Sequence, residues 1–155
     1  MKEFKQIAGL FALGGVGYAG LELLWRRKTH WSMALTGGCV LVALAGLGKH
    51  LSGCAAHGRR LAGTACITTA ELLVGLTVNE RYGLSVWDYS HNKWNFRGQI
   101  CAKYAVLWYL LSGPAMRVAE KSAILLANSE KPAYNEHRQP ARQRVYYADC
   151  AGYRE

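Results

Sequence analysis

Seven side chains put charge or a titratable proton next to long apolar stretches: Glu22, His30, Glu71, Asp88, His91, Arg97 and Lys103. Glu71 is the one acid in the run 61–79, and Lys103 the one base in 98–116. At bilayer depth a carboxylate costs about 2.5–3.5 kcal/mol on insertion scales, so it requires a partner or a wet cavity. An acid so placed binds a cation, passes a proton, or pairs with a base to hold helices together. Glu71 lies eight residues from the end of its run and Lys103 five from the start of the next, so antiparallel neighbours would bring the two within reach. Asp88 and Arg97 are expected to pair beside Glu22 and Glu71. Asn95 and Tyr89 would then orient a ligand by hydrogen bonds.

Other chemistries fit the residues less well. Ser90 or Cys101 could act as nucleophile with His91 or His30 as base and Asp88 as orienter, but no Gly-x-Ser-x-Gly elbow is present. His50, Cys54 and His57 have a spacing a transition metal could use, yet they offer one thiol and no fourth ligand, so no metal is expected. The five cysteines cannot all pair, and three lie in apolar runs where the thiol behaves as a small hydrophobe. No cofactor is expected.

These groups must be positioned by helices in lipid. The chain is 51% apolar and 19% charged, and its charges fall in short clusters separated by nearly bare stretches. A helix rising 1.5 Å per residue needs about 20 mostly apolar residues to cross a hydrocarbon core of about 30 Å. Residues 6–21 and 29–48 contain no Asp, Glu, Lys or Arg, which leaves no charged face for a soluble bundle. The reading is an all-α polytopic membrane protein with spans at about 5–25, 33–51, 61–79 and 98–116. Seventeen glycines, many within the runs, suit close packing in lipid, and Gly15 with Ala19 and Ala34 with Gly38 form small-xxx-small pairs. Trp25, Trp31, Tyr82, Trp87, Tyr89 and Trp94 cluster at span ends as an aromatic belt.

The halves of the chain echo each other. Leu21-Glu22-Leu23-Leu24 is answered by Ala70-Glu71-Leu72-Leu73, and His30-Trp31-Ser32-Met33 by Lys93-Trp94-Asn95-Phe96. Cys39 and Cys101 follow at similar depths. This predicts two parallel helical hairpins, with an insertion of about fourteen residues in the second. Residues 1–116 would form the transmembrane domain. Residues 117–155 would add an amphipathic helix on the membrane surface and a flexible basic tail.

The stretch Glu71-Leu-Leu-Val-Gly75, then Trp87-Asp88-Tyr89-Ser90, then Trp94-Asn95-Phe96-Arg97-Gly98-Gln99-Ile100-Cys101 resembles a family of small bacterial membrane proteins described as ABC-transporter type IV, or permease-like. The resemblance is strong over 61–116 and looser over 22–38. It implies transport, or a transporter subunit, for a small polar, cationic or lipid-like solute. No Gly-x-x-x-x-Gly-Lys-Ser/Thr loop is present, so an ABC-type role would require a separate ATPase subunit. In this reading Glu22, Glu71, Asp88, Arg97, Lys103, Asn95, Tyr89 and His30 serve binding or transport. Trp31, Trp87, Ser90, Trp94, Gly98 and Cys101 shape the motif. A non-catalytic membrane scaffold is the alternative, and a membrane enzyme acting on lipid ranks third.

The formal charge of +9 is compatible with anionic lipid or nucleic acid, but no nucleic-acid recognition fold accompanies it, and none is expected to bind. Membrane lipid and further copies of the chain are the expected partners. The distribution of bases places both termini on the cytoplasmic side of the inner membrane.

Overall fold

The computed structural model describes residues 2–129. Four helices form the fold: α1 (Lys2–Arg26), α2 (Trp31–His50), α3 (Ala56–Val74) and α4 (Ala102–Ser129). A π-helical turn, Gly75–Arg81, prolongs α3 without a break. Three segments, Glu3–Arg26, Trp31–His50 and Ala56–Arg81, are long and apolar enough to cross a membrane. Their outer faces carry large apolar side chains, with Val16 75% and Leu24 83% exposed. Lipid is the solvent that stabilises such a surface.

Small residues set the closest packing. A methyl group at Gly15 would lie 2.8 Å from the Ala34 carbonyl, and one at Gly38 would meet the Phe11 ring at 2.7 Å. Gly37 in turn receives Tyr18 and the Gly14 carbonyl. Bare backbone at these positions lets α1 and α2 run antiparallel in close contact, the dispersion-driven mode that replaces hydrophobic association inside a bilayer. Leu44 of α2, Ile67 of α3, and Met116 and Ala119 of α4 form the buried core.

The end of the chain's helical part differs from expectation. In place of a span ending at 116 and a separate surface helix, α4 is continuous for 28 residues, with Pro114 inside it. Its second half stays in the bundle: Gln6 donates to the Ala123 carbonyl at 2.8 Å, and Leu126 covers Gly9. The helix runs on through Arg117, Glu120 and Lys121, and Leu126 packs its far half against α1. The flexible tail expected beyond 129 lies outside the described residues.

The fourth run also starts later than 98. Asn95–Phe96 and Ile100–Cys101 form a small antiparallel hairpin in the register Asn95–Cys101 and Phe96–Ile100. Its turn has positive φ at Arg97 (53°) and Gly98 (67°), the left-handed pair that tight hairpins favour. The connections are 27–30, 51–55 and the long segment 82–101, so the hairpin loop and the first connection lie over the same end of the bundle as Arg26 and Tyr18.

Candidate functional site

Glu71 is 6% exposed, deep among α1, α3 and α4. Trp108 of α4 donates its indole N–H to Glu71 Oε2 at 2.8 Å. The Trp108 ring lies 6.5 Å from that of Tyr18, centroid to centroid, at 36°. One turn further along α1, Glu22 Oε1 accepts from Arg26 at 3.1 Å, while Glu22 Oε2 is buried with no hydrogen-bond partner. Tyr18 lies near the charges of both Glu71 and Glu22, and Glu71 near that of Glu22. The ion pairs seen among the described residues engage Glu22, Glu120 and Glu80; Glu71 is in none of them.

A loop closes the end of this cluster. Arg26 donates to the Val86 carbonyl at 2.7 Å, tying the end of α1 to segment 82–94. Tyr89 stacks on Tyr104 of α4, centroids 4.5 Å apart and planes 18° from parallel. Burial first, and the negative charge of Glu71 second, push the Tyr89 hydroxyl far above the usual phenol range, so it stays neutral. Beneath the loop lies a buried polar knot. Asn79, on the π turn, donates to the Trp87 carbonyl and to Gln99 Oε1, both at 2.9 Å, and accepts the Val86 N–H at 2.7 Å. Trp87 donates its indole N–H to the Gln99 carbonyl at 3.0 Å. Gly75 leaves the space that the Gln99 side chain fills. A π turn inserts one residue into the helical repeat, a device that recurs at functional sites. Here it carries Asn79, which ties α3 to the loop.

Several expected pairings are not made. Lys103 does not reach Glu71: it is exposed in the first turn of α4, with its ammonium 6.0 Å from the Tyr104 ring. Because the hairpin delays the start of α4, the residue that meets Glu71 is Trp108. Arg97 does not pair with Asp88 but with Glu80, at the exposed edge of the π turn. Asp88 accepts instead from the Ser90 N–H at 2.8 Å and the Ser90 hydroxyl at 2.9 Å, closing its own turn. Those bonds, the backbone one first, hold its carboxyl below the usual range. The left-handed turn at Arg97 and Gly98 directs the Arg97 side chain away from Asp88, and a side chain at Gly98 would crowd Asp88 at 3.0 Å.

The remaining motif residues have local tasks. His30 caps α2 through Nδ1, 3.3 Å from the Ser32 N–H and 2.8 Å from its hydroxyl, with its ring 5.2 Å from Trp31. Asn95 donates to the Ser90 and Asn92 carbonyls at 3.1 and 2.8 Å and accepts from the Gly98 N–H at 3.0 Å. Cys101 is buried at the hairpin's end. Trp87 departs from the expected belt, since it is 5% exposed and hydrogen-bonded inside, whereas Trp25, Trp31 and Trp94 remain exposed.

Spacing alone missed Tyr18, Arg26, Asn79, Glu80, Gln99 and Trp108. The available signals were polar residues within bare runs, Asn79 and Gln99 on either side of Trp87, and Tyr18 one turn before Glu22.

The opposite end of the bundle is built differently. Arg59 of α3 pairs with Glu120 of α4, whose carboxyl sits over Gly48. His57 bonds the Tyr109 hydroxyl at 2.5 Å, and the Arg60 guanidinium lies 5.8 Å from the Tyr109 ring centre. Among the described residues, no three His, Cys, Asp or Glu side chains are grouped to hold a metal ion.

A family model described as "Putative ABC-transporter type IV" matches residues 29–136, which takes in α2, α3, the loop and α4. Neither the curated proteins nor the solved structures yield a match.

Proposed function

The chain belongs to the ABC-transporter type IV family matched over residues 29–136, and from that premise we propose that it is an integral membrane transporter, or the membrane subunit of one. Its solute is small and polar, cationic or lipid-like. Glu71 and Glu22 take the cation or proton of the cycle, in a setting lined by Tyr18, Trp108 and Tyr89. The observation that carries this reading is a carboxyl buried between helices with an indole N–H, rather than a cation, as its partner. Intramembrane acids of this kind mark ion and substrate paths. The loop 82–101 covers the site, with Asp88, Asn95 and Arg97 holding its shape.

In this proposal α4 is the fourth span, and the two hairpins α1–α2 and α3–α4 are parallel repeats that place Glu22 and Glu71 towards the same membrane face. The protein sits in the inner membrane with both termini cytoplasmic, associates with further copies, and draws energy from a separate ATPase subunit, a role in keeping with a sequence in which no Gly-x-x-x-x-Gly-Lys-Ser/Thr motif occurs.

The test uses membrane vesicles from cells expressing the protein, supplied with ATP and with radiolabelled methylammonium, glycerol or a short-chain phosphatidylcholine. We expect uptake of at least one probe above that of vesicles lacking the protein, and loss of that uptake in Glu71→Gln at equal membrane abundance. No uptake of any probe, or uptake indifferent to Glu71→Gln, overturns the proposal. The scaffold alternative draws on the inter-element ties Arg26–Val86 and Arg59–Glu120. It expects Glu71→Gln to weaken assembly instead of flux.

A further inference from the structure

Building on the transport reading, we propose that Glu71 and Glu22 form a proton site that holds one proton, carried by Glu71 while Arg26 pairs with Glu22. Three features of the geometry support it. Glu71 receives a neutral N–H at Oε2, which satisfies one oxygen and leaves Oε1 to carry the proton. Glu22 has its cation on Oε1, yet its Oε2 is buried without a donor, so this corner is short of hydrogens by its own count. Tyr18, one turn before Glu22, has its ring 6.5 Å from that of the Trp108 that bonds Glu71, which puts this part of α1 beside the buried acid.

The other groups near the pair leave one positive charge to balance it. Helix α1 brings Tyr18, Glu22 and Arg26, and the loop brings Tyr89 on Tyr104. Helix α4 contributes Trp108, while its Lys103 is exposed. Helix α2 contributes His30, which is engaged with Ser32 at the cap, and the π turn contributes Glu80, paired with Arg97. Arg26 is taken up by Glu22 and the Val86 carbonyl, and Glu71 is left with a neutral partner; a carboxyl without a cation in a low-dielectric interior keeps its proton.

The experiment is infrared spectroscopy of the full chain in lipid nanodiscs at neutral pH, with no solute added. The structure assigns a C=O stretch of a protonated carboxylic acid to the folded protein. We expect it to shift in deuterium oxide and to vanish in Glu71→Gln. Arg26→Gln, which leaves both carboxyls in place and removes their cation, should raise the band roughly twofold as Glu22 takes up a proton as well. Absence of the band in the folded wild type, persistence of it in Glu71→Gln, or no gain in Arg26→Gln overturns the inference. The band is read without transport, so it can fail while uptake stands, and uptake can fail while the band stands.

Discussion

Glu71 and Glu120 are two acids of one helical bundle, and their surroundings treat them in opposite ways. Glu120 meets Arg59 from the neighbouring helix and covers a glycine, so its charge is matched and its position fixed by backbone. Glu71 is more deeply buried, has aromatic neighbours, and receives a single neutral hydrogen bond. Matched charge fastens helices together. A carboxyl without a cation retains a choice between charged and neutral forms, and that choice is what a transport cycle can use. The difference separates an end of the bundle where charge is matched from the end that the proposal assigns to chemistry.

The largest effect is expected from Gly37→Leu. Its side chain would collide with Tyr18 and the Gly14 carbonyl, forcing α1 from α2 and carrying Tyr18 and Glu22 away from Glu71. Overpacking costs about 1–3 kcal/mol where neighbours can yield, and more against rigid backbone. The expected outcome is loss of the folded species by size-exclusion chromatography in detergent, which would show that the chemical end depends on the α1–α2 contact.

Asn79→Leu should rank next. It strands the Val86 N–H and the Gln99 amide oxygen in a buried setting, at about 1–3 kcal/mol for each stranded group. We expect faster hydrogen exchange through 82–101 and little change around Arg59 and Glu120. Exchange rising equally at both ends would erase the distinction between them.

A smaller loss, about 1–3 kcal/mol, is expected from Arg59→Ala, since this pair is only partly solvated and lies between the exposed and fully buried limits. Thermal unfolding in nanodiscs checks it, with solute uptake per folded molecule unchanged.

Asp88 supplies the smallest effect and a defined pH sense. Its folded carboxyl titrates below the ordinary aspartate value of about 3.9, because Ser90 bonds the charged form. Its contribution is therefore complete above that value and is lost as pH falls through the lower, folded one. The Ser90 amide resonance should titrate below the ordinary aspartate range, and in Asp88→Ala this titration should disappear.

The sequence disclosed what lipid imposes and concealed what azimuth and loops decide. The bare stretches behind α1, α2 and α3 are legible because a bilayer tolerates few alternatives, and the small residues Gly15, Ala34 and Gly38 already marked the α1–α2 contact. Glu71 and Glu22 could be singled out by their cost in lipid. Their partners could not. Linear spacing matched Lys103 to Glu71, but a hairpin of seven residues, Asn95 to Cys101, shifts the start of α4 and turns Trp108 towards the acid. Asp88 and Arg97 carry complementary charges within one loop, yet consecutive left-handed residues separate them and Ser90 supplies a closer donor. His30 acts as a helix cap, a task that Ser, Thr, Asp and Asn usually perform, so its type gave no warning. The continuity of α4 past Arg117 was hidden because its charged residues look like a membrane exit, while its apolar residues remain packed on α1.

The contrast between the two acids comes down to one paired measurement: solute uptake and thermal stability of Glu71→Gln beside Glu120→Gln, in the same vesicles. The account predicts that Glu71→Gln abolishes uptake with the unfolding temperature nearly unchanged, because the carboxamide still accepts the Trp108 N–H, whereas Glu120→Gln lowers stability and leaves uptake per folded molecule intact. Uptake that survives Glu71→Gln, or is abolished equally by both substitutions, would contradict it.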